Sequence, residues 1–307
     1  MSPTPPVLAV VGPTAAGKSD LAAEVAVRLG GEVVNGDSMQ IYRGMDIGTA
    51  KLTTGERRGV AHHLLDVLDV TAPATVADFQ AWARAAVDDC RERGRTPVLV
   101  GGSALYVRAV LDRFEFPGTD PDVRAGLEAE LDARGSHHLH AVLTGADPEA
   151  AARILPSNGR RIVRALEVLA LTGRPFAATL PDFTYFYDDV RQVGVDVPRA
   201  VLDERIRMRV ERMWAAGFVD EVRRLDADGL REGRTASRAL GYAQVLRFLD
   251  GELDEVQARE ATVTATRRFA RRQDSWFRKD PRITWVDLDA PDLTQRALSV
   301  CGWSPSW

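Results

Sequence analysis

The run Gly12-Pro13-Thr14-Ala15-Ala16-Gly17-Lys18-Ser19 limits what this chain can be more than any other feature. It satisfies G-x-x-x-x-G-K-[ST], and it lies between an apolar, β-rich run, Val7–Val11, and an amphipathic stretch of helical period over residues 19–29. In that setting the backbone N–H groups of the loop and of the helix N-terminus wrap a diphosphate. Lys18 adds a mobile positive charge, and the Ser19 hydroxyl is a candidate ligand for Mg²⁺. Such a loop specifies a diphosphate without specifying whose.

Further along, a short strand over 31–34 ends at Asn35-Gly36-Asp37, a helix over 76–93 closes at Gly94, and a buried strand over 97–100 ends at Gly101-Gly102-Ser103. Strands alternating with helices predict an α/β fold, a P-loop-type core with a mainly parallel sheet flanked by helices. After Phe116 the pattern changes to proline, glycine and acidic turns, then to helical segments reaching about Pro181 with no convincing strand. A strand over 190–197, helices over 198–217, 219–227, Tyr242–Leu249 and 253–279, and a last strand over 283–288 follow. The expected organisation is therefore a core of residues 1–115 and 188–307 carrying a basic C-terminal helix, with a helical insertion domain at 116–187.

Net charge is −4, so a basic surface must come from local clustering, and residues 267–282 supply it with seven basic side chains against two acidic. Arg267, Arg268, Arg271 and Arg272 repeat at i, i+1, i+4, i+5 and share a helical face, either a phosphate-binding stripe or a solvated surface with Glu260 and Asp274 as partners. Phe269, Trp276 and Phe277 read as core. The two cysteines lie far apart, and no apolar run is long enough to span a membrane. A reducing cytoplasm is the expectation, with no membrane and no obligate protein partner. The histidines have no nearby cysteine pairs, which removes a zinc finger, and His62-His63 receives no role.

Asp37 ends the second strand and so faces the crevice of the phosphate loop, as a base, a Mg²⁺ ligand or a turn cap. It also opens Asp37-Ser38-Met39-Gln40-Ile41-Tyr42-Arg43-Gly44-Met45-Asp46-Ile47-Gly48-Thr49-Ala50-Lys51, which closely resembles the signature of the tRNA dimethylallyltransferases, or tRNA isopentenyltransferases. The resemblance continues in order through Gly101-Gly102-Ser103-Ala104-Leu105-Tyr106, Asp120-Pro121-Asp122-Val123-Arg124, residues 161–168, Gly241-Tyr242 and the arginine-rich C-terminal helix.

The resemblance implies dimethylallyl diphosphate held by the phosphate loop, and a tRNA anticodon stem-loop as acceptor. It makes Asp37 the base that takes a proton from an adenine amine, places the Ser103 hydroxyl at the reacting nucleotide, and gives Arg238 the departing diphosphate. It also implies tRNA contacts from Asp37, Ser38, Met39, Gln40, Ser103, Arg124, Arg160, Arg161, Ile162, Val163 and Arg164. Asn158-Gly159-Arg160 departs from the Asp-Pro-Gln commoner in the family. Arg161 and Arg164 have an alternative as paired charges on a solvated helix face.

The chemistry suits these parts. An allylic diphosphate departs readily, so the protein must stabilise the departing anion, the task of Lys18, Arg238 and Mg²⁺, and place the nucleophile in line. The exocyclic amine of adenine is a poor nucleophile, and a carboxylate bonded to it helps as charge builds. The base must leave its stack, which an unpaired loop allows cheaply. The core pattern alone equally fits a small-molecule kinase, and the phosphate loop does not separate tRNA from free adenine nucleotides as acceptor. An RNA-binding protein that uses nucleotide without transfer chemistry is a third reading.

Overall fold

Alternate residues of β1 (Val7–Val11) point to opposite faces of a sheet, and both sets are apolar and buried. Val7, Ala9 and Val11 join one core and Leu8 and Val10 another, the mark of a strand covered on both faces. After β1 come α1 (Lys18–Leu29), β2 (Glu32–Asn35), β3 (His62–His63), α2 (Val76–Glu92), β4 (Pro97–Gly101) and α3 (Ala104–Leu111). Then follow α4 (Pro121–Arg134), α5 (Ser136–Ala146), α6 (Pro148–Arg153) and α7 (Gly159–Thr172). The chain closes through β5 (Val190–Asp196), α8 (Arg199–Ala215), α9 (Phe218–Ala227), α10 (Tyr242–Leu249), α11 (Glu255–Phe277), β6 (Ile283–Asp287) and α12 (Leu293–Val300).

The computed structural model describes residues 4–176 and 182–303. It divides into one unit of Met1–Asp112 and Tyr185–Trp307 and a second of Arg113–Thr184. The expected helical run to Pro181 therefore extends past the described residues at its end.

In the first unit six strands are ordered β3-β2-β4-β1-β5-β6, and every pairing is parallel. Helices α2 and α3 cover one face through Phe79, Ala83, Val87, Val107 and Val110, while α1 and α12 cover the other through Leu21, Val25, Ala26 and Leu298. Local signals start the helices: Thr75 and Asp78 form a capping box on α2, and Asp254 and Gln257 one on α11. Two-residue β3, α3 and α12 are elements that the sequence patterns do not single out.

The second unit holds α4 to α7 around Leu139, Leu143, Ile154, Ile162 and Leu166. Its chain enters α4 through Asp120, whose carboxylate caps the amides of Asp122 and Val123, with Pro121 in the first turn.

Candidate active site

The phosphate loop leaves the carboxyl end of β1, Asp37 lies two residues beyond β2 and Ser103 two beyond β4. Parallel strands bring these three ends to one edge of the sheet, where open α/β folds bind their ligands.

Gly17 stands at the N-cap of α1 with φ 87°, a conformation that suits glycine. Lys18 bends back so that Nζ donates to the Pro13 carbonyl at 2.7 Å. Distant helices hold the loop from outside: Arg205 Nε of α8 donates to the Ala15 carbonyl at 2.7 Å, and Gln273 Oε1 of α11 accepts the Thr14 N–H at 2.8 Å. Ala15 itself packs with Leu202, Ile206 and Ala270.

Burial pushes the Lys18 ammonium down to about 7, the positive charge of Arg209 adds to that, and the Asp37 carboxylate opposes it. Burial likewise lowers Arg209, against the pull of Asp37. Lys18, Arg209 and Asp37 thus share one electrostatic environment, two cations and one anion. Arg209 Nη2 is anchored on the Thr49 carbonyl at 3.1 Å, which also accepts Gln40 Nε2 at 3.2 Å.

Asp37 is fixed by the buried side chain of Asn35, whose Oδ1 accepts the Asp37 N–H and whose Nδ2 donates to the Asp37 carbonyl, both at 2.9 Å. Asp37 Oδ1 accepts the Met39 N–H at 2.8 Å, while its Oδ2 accepts no hydrogen bond among the described residues. One carboxylate oxygen therefore fixes the group, and the other is unengaged among the described residues. Met39 packs against the core. Ser103 occupies the N-cap position of α3, but its hydroxyl makes no capping bond.

The stretch after Asp37 is tied down rather than regular. Glu221, 2% exposed, accepts the N–H groups of Asp46, Ile47 and Gly48 at 3.1, 2.7 and 3.1 Å, and the Tyr242 hydroxyl at 2.6 Å. Lys51 Nζ, buried, donates to the Tyr42 carbonyl, Asp46 and Asp66 at 3.0, 2.6 and 2.5 Å.

Several expected positions differ from expectation. Arg238 lies exposed in a short turn of 3-10 helix and its side chain makes no polar contact among the described residues, and the cation beside Lys18 and Asp37 is Arg209. Ile162 and Val163, 0% and 2% exposed, are core residues of the helical unit, so their side chains are not presented to RNA. Arg124 and Arg164 converge on buried Glu167, at 2.5 and 2.7 Å, and Arg164 also donates to the Pro117 and Gly118 carbonyls. Arg160 and Arg161 are exposed.

On α11, Arg268, Arg271 and Arg272 are exposed and Arg267 is half-buried. Asp203 of α8 lies 3.9 Å from both Arg267 and Arg271, so the acid sharing this face comes from another helix rather than from Glu260 or Asp274. His63 lies 2.7 Å from Glu32, with Cys90 3.6 Å from each, but Arg93 already holds Glu32 with two nitrogens at 2.6 and 2.8 Å. That cation occupies the carboxylate a metal would need.

Arg205, Arg209, Gln273 and Glu221 escape motif reading. The signal that was available is the i, i+4 spacing of Arg205 and Arg209 beside the apolar face Leu202, Ile206 and Val210 of α8.

The family model described as IPP transferase matches residues 40–280. A tRNA dimethylallyltransferase of Nocardioides sp. is 64% identical, with 98% of each chain covered. One of Salinispora arenicola is 68% identical over 95% of this chain and 85% of its own. A solved tRNA isopentenylpyrophosphate transferase of Bacillus halodurans is similar at TM-score 0.70 and 40% identity, covering 97% of this chain and 94% of that one. A eukaryotic dimethylallyltransferase acting on tRNA shares the fold at TM-score 0.83 and 24% identity, covering 98% and 81%. No helix among the described residues is long and apolar enough to cross a membrane.

Proposed function

Because the chain belongs to the IPP transferase family, we propose that it transfers a dimethylallyl group from dimethylallyl diphosphate to the exocyclic amine of a tRNA adenosine, the one 3′ of the anticodon. The observation that carries this reading is the grouping of Lys18, Arg209 and Asp37 at the edge of the sheet.

In this mechanism the phosphate loop binds the donor diphosphate through backbone N–H groups. The adenine nitrogen attacks the allylic carbon, a C–N bond forms, and the C–O bond breaks with its electron pair leaving on the diphosphate. Lys18 and Arg209 stabilise that anion, the part first expected of Arg238. Asp37 Oδ2 accepts the amine proton, while Oδ1 stays on Met39 N–H and keeps the carboxylate aimed. Ser103 Oγ, not engaged in capping, is available to hold the nucleotide. Ser19 Oγ, which makes no hydrogen bond among the described residues, suits a hard cation together with diphosphate oxygens. Mg²⁺ held there would offset charge on the leaving group.

The acceptor RNA is proposed to meet the exposed arginines Arg268, Arg271 and Arg272 in the first unit, and Arg160 and Arg161 in the second.

The test incubates the protein with Mg²⁺, labelled dimethylallyl diphosphate and unmodified tRNA, beside Asp37→Ala and a control lacking tRNA, and maps the labelled nucleoside. Label on one anticodon-loop adenosine, reduced about 10²- to 10⁴-fold in Asp37→Ala with tRNA affinity unchanged, is the expected result. Label on free AMP in preference to tRNA would overturn the acceptor assignment.

A further inference from the structure

Gln273 is 6% exposed and lies on α11, far in sequence from the groups it meets. Its Oε1 accepts the Thr14 N–H of the phosphate loop at 2.8 Å. Its Nε2 occupies the place where a side chain on Gly102 would begin: a Cβ built there falls 2.5 Å from Nε2, 3.4 Å from Cδ and 3.5 Å from the Gly12 carbonyl oxygen. Gly102 is not among the residues of positive φ. The space a side chain at 102 would enter is taken by the far end of the Gln273 side chain, so an added methyl group moves that amide rather than the backbone.

One amide is thus wedged between the loop that follows β1 and the loop that follows β4, the latter carrying Ser103. The two strands are neighbours with fixed register, Val11 opposite Gly101. Beyond their ends no ladder holds the loops, and the Gln273 amide fills the interval.

We propose that Gln273 is a positioning residue for prenyl transfer, setting the diphosphate loop against the loop that receives the adenosine. The inference rests on the function proposed above. In-line displacement is sensitive to small changes in the distance between donor carbon and nucleophile, so a residue that fixes both loops acts on the reaction without touching either substrate. Removing it also strands the Thr14 N–H without its acceptor.

Gln273→Leu removes the acceptor, whereas Gly102→Ala acts on the same contact from the other side, because its methyl group must displace Nε2. Each single variant should raise the KM for dimethylallyl diphosphate about tenfold, with the Kd for tRNA held within about twofold. The double variant should be no worse than the poorer single, rather than showing the roughly hundredfold product expected of independent sites. Additive effects, or Gly102→Ala with an unchanged donor KM, overturn the proposal even where Gln273→Leu fails to fold. Wild-type protein that transfers nothing to tRNA sinks the functional reading instead, and an active wild type with additive variants sinks this inference alone.

Discussion

Arg205 Nε donates to the carbonyl oxygen of Ala15 at 2.7 Å, and Ala15 is held with φ 64°, a left-handed conformation for a residue bearing a Cβ. That conformation costs roughly 1–2 kcal/mol outside glycine, and the guanidinium helps to offset it. Arg205→Met should therefore loosen the loop and raise the donor KM about tenfold, on the scale of one hydrogen bond to a charged group. Adding Ala15→Gly should recover part of the loss, since glycine adopts the turn unaided. Steady-state kinetics on the two variants and their combination checks this, and an unchanged KM in Arg205→Met contradicts it.

Lys18 makes donor binding depend on pH. In the unliganded protein its ammonium titrates at about 7, chiefly through burial. A bound diphosphate favours the charged form and raises that value, so binding takes up a proton between the two pKa values. Affinity is then level below pH about 7 and falls above it, by at most about tenfold per pH unit. Calorimetry with dimethylallyl diphosphate in the absence of tRNA, near pH 8 in buffers of different ionisation enthalpy, measures the uptake. Lys18→Met should abolish it. The same depressed pKa makes the unfolded chain the better proton binder between about 7 and 10.5, so the Lys18 contribution to stability rises with pH across that window.

Glu221 is predicted to matter for stability more than its place outside the catalytic group suggests. Its carboxylate is the acceptor for three successive backbone N–H groups and for Tyr242, whose ionisation is pushed upward by burial and by that negative charge. Glu221→Ala should lower the unfolding free energy by about 3–5 kcal/mol, and Tyr242→Phe by about 1–2 kcal/mol. Urea denaturation distinguishes the two, and equal small losses would mean that water replaces the carboxylate.

The arginine face of α11 should behave unevenly. Arg267 and Arg271 lie 3.9 Å from Asp203, a carboxylate that Arg199 holds at 2.5 Å, whereas Arg268 and Arg272 have no acidic partner among the described residues. Arg268→Ala and Arg272→Ala should each flatten the salt dependence of tRNA binding by about 0.7–0.9 in log–log slope. Asp203→Asn should strengthen binding modestly by removing negative charge beside Arg267 and Arg271, although Arg267 keeps its bond to the Asp203 carbonyl. An unchanged slope would make the face solvated surface only.

Most of the core was legible because its signals are local. Apolar runs ending at glycine mark β1 and β4, and a helical pattern closed by Gly94 marks α2. Strand β3 was not legible, since two residues carry no periodicity and His62-His63 is held by pairing with Val33 and Val34. Within the site, Asp37 and the phosphate loop stand out because motif and strand end coincide. Arg209 does not, for its role comes from where α8 packs. Arg124 and Arg164 read as RNA contacts until Glu167, a buried carboxylate inside an otherwise apolar helix face, shows what they hold.

The supports of the phosphate loop lie 190 and 259 residues downstream of the groups they hold, at Arg205 and Gln273. During synthesis the loop therefore leaves the ribosome long before either helix exists. A nascent chain can carry the full eight-residue motif yet lack the helices whose side chains shape it. The loop therefore takes its final shape only after α8 and α11 have docked, late in the folding of the chain.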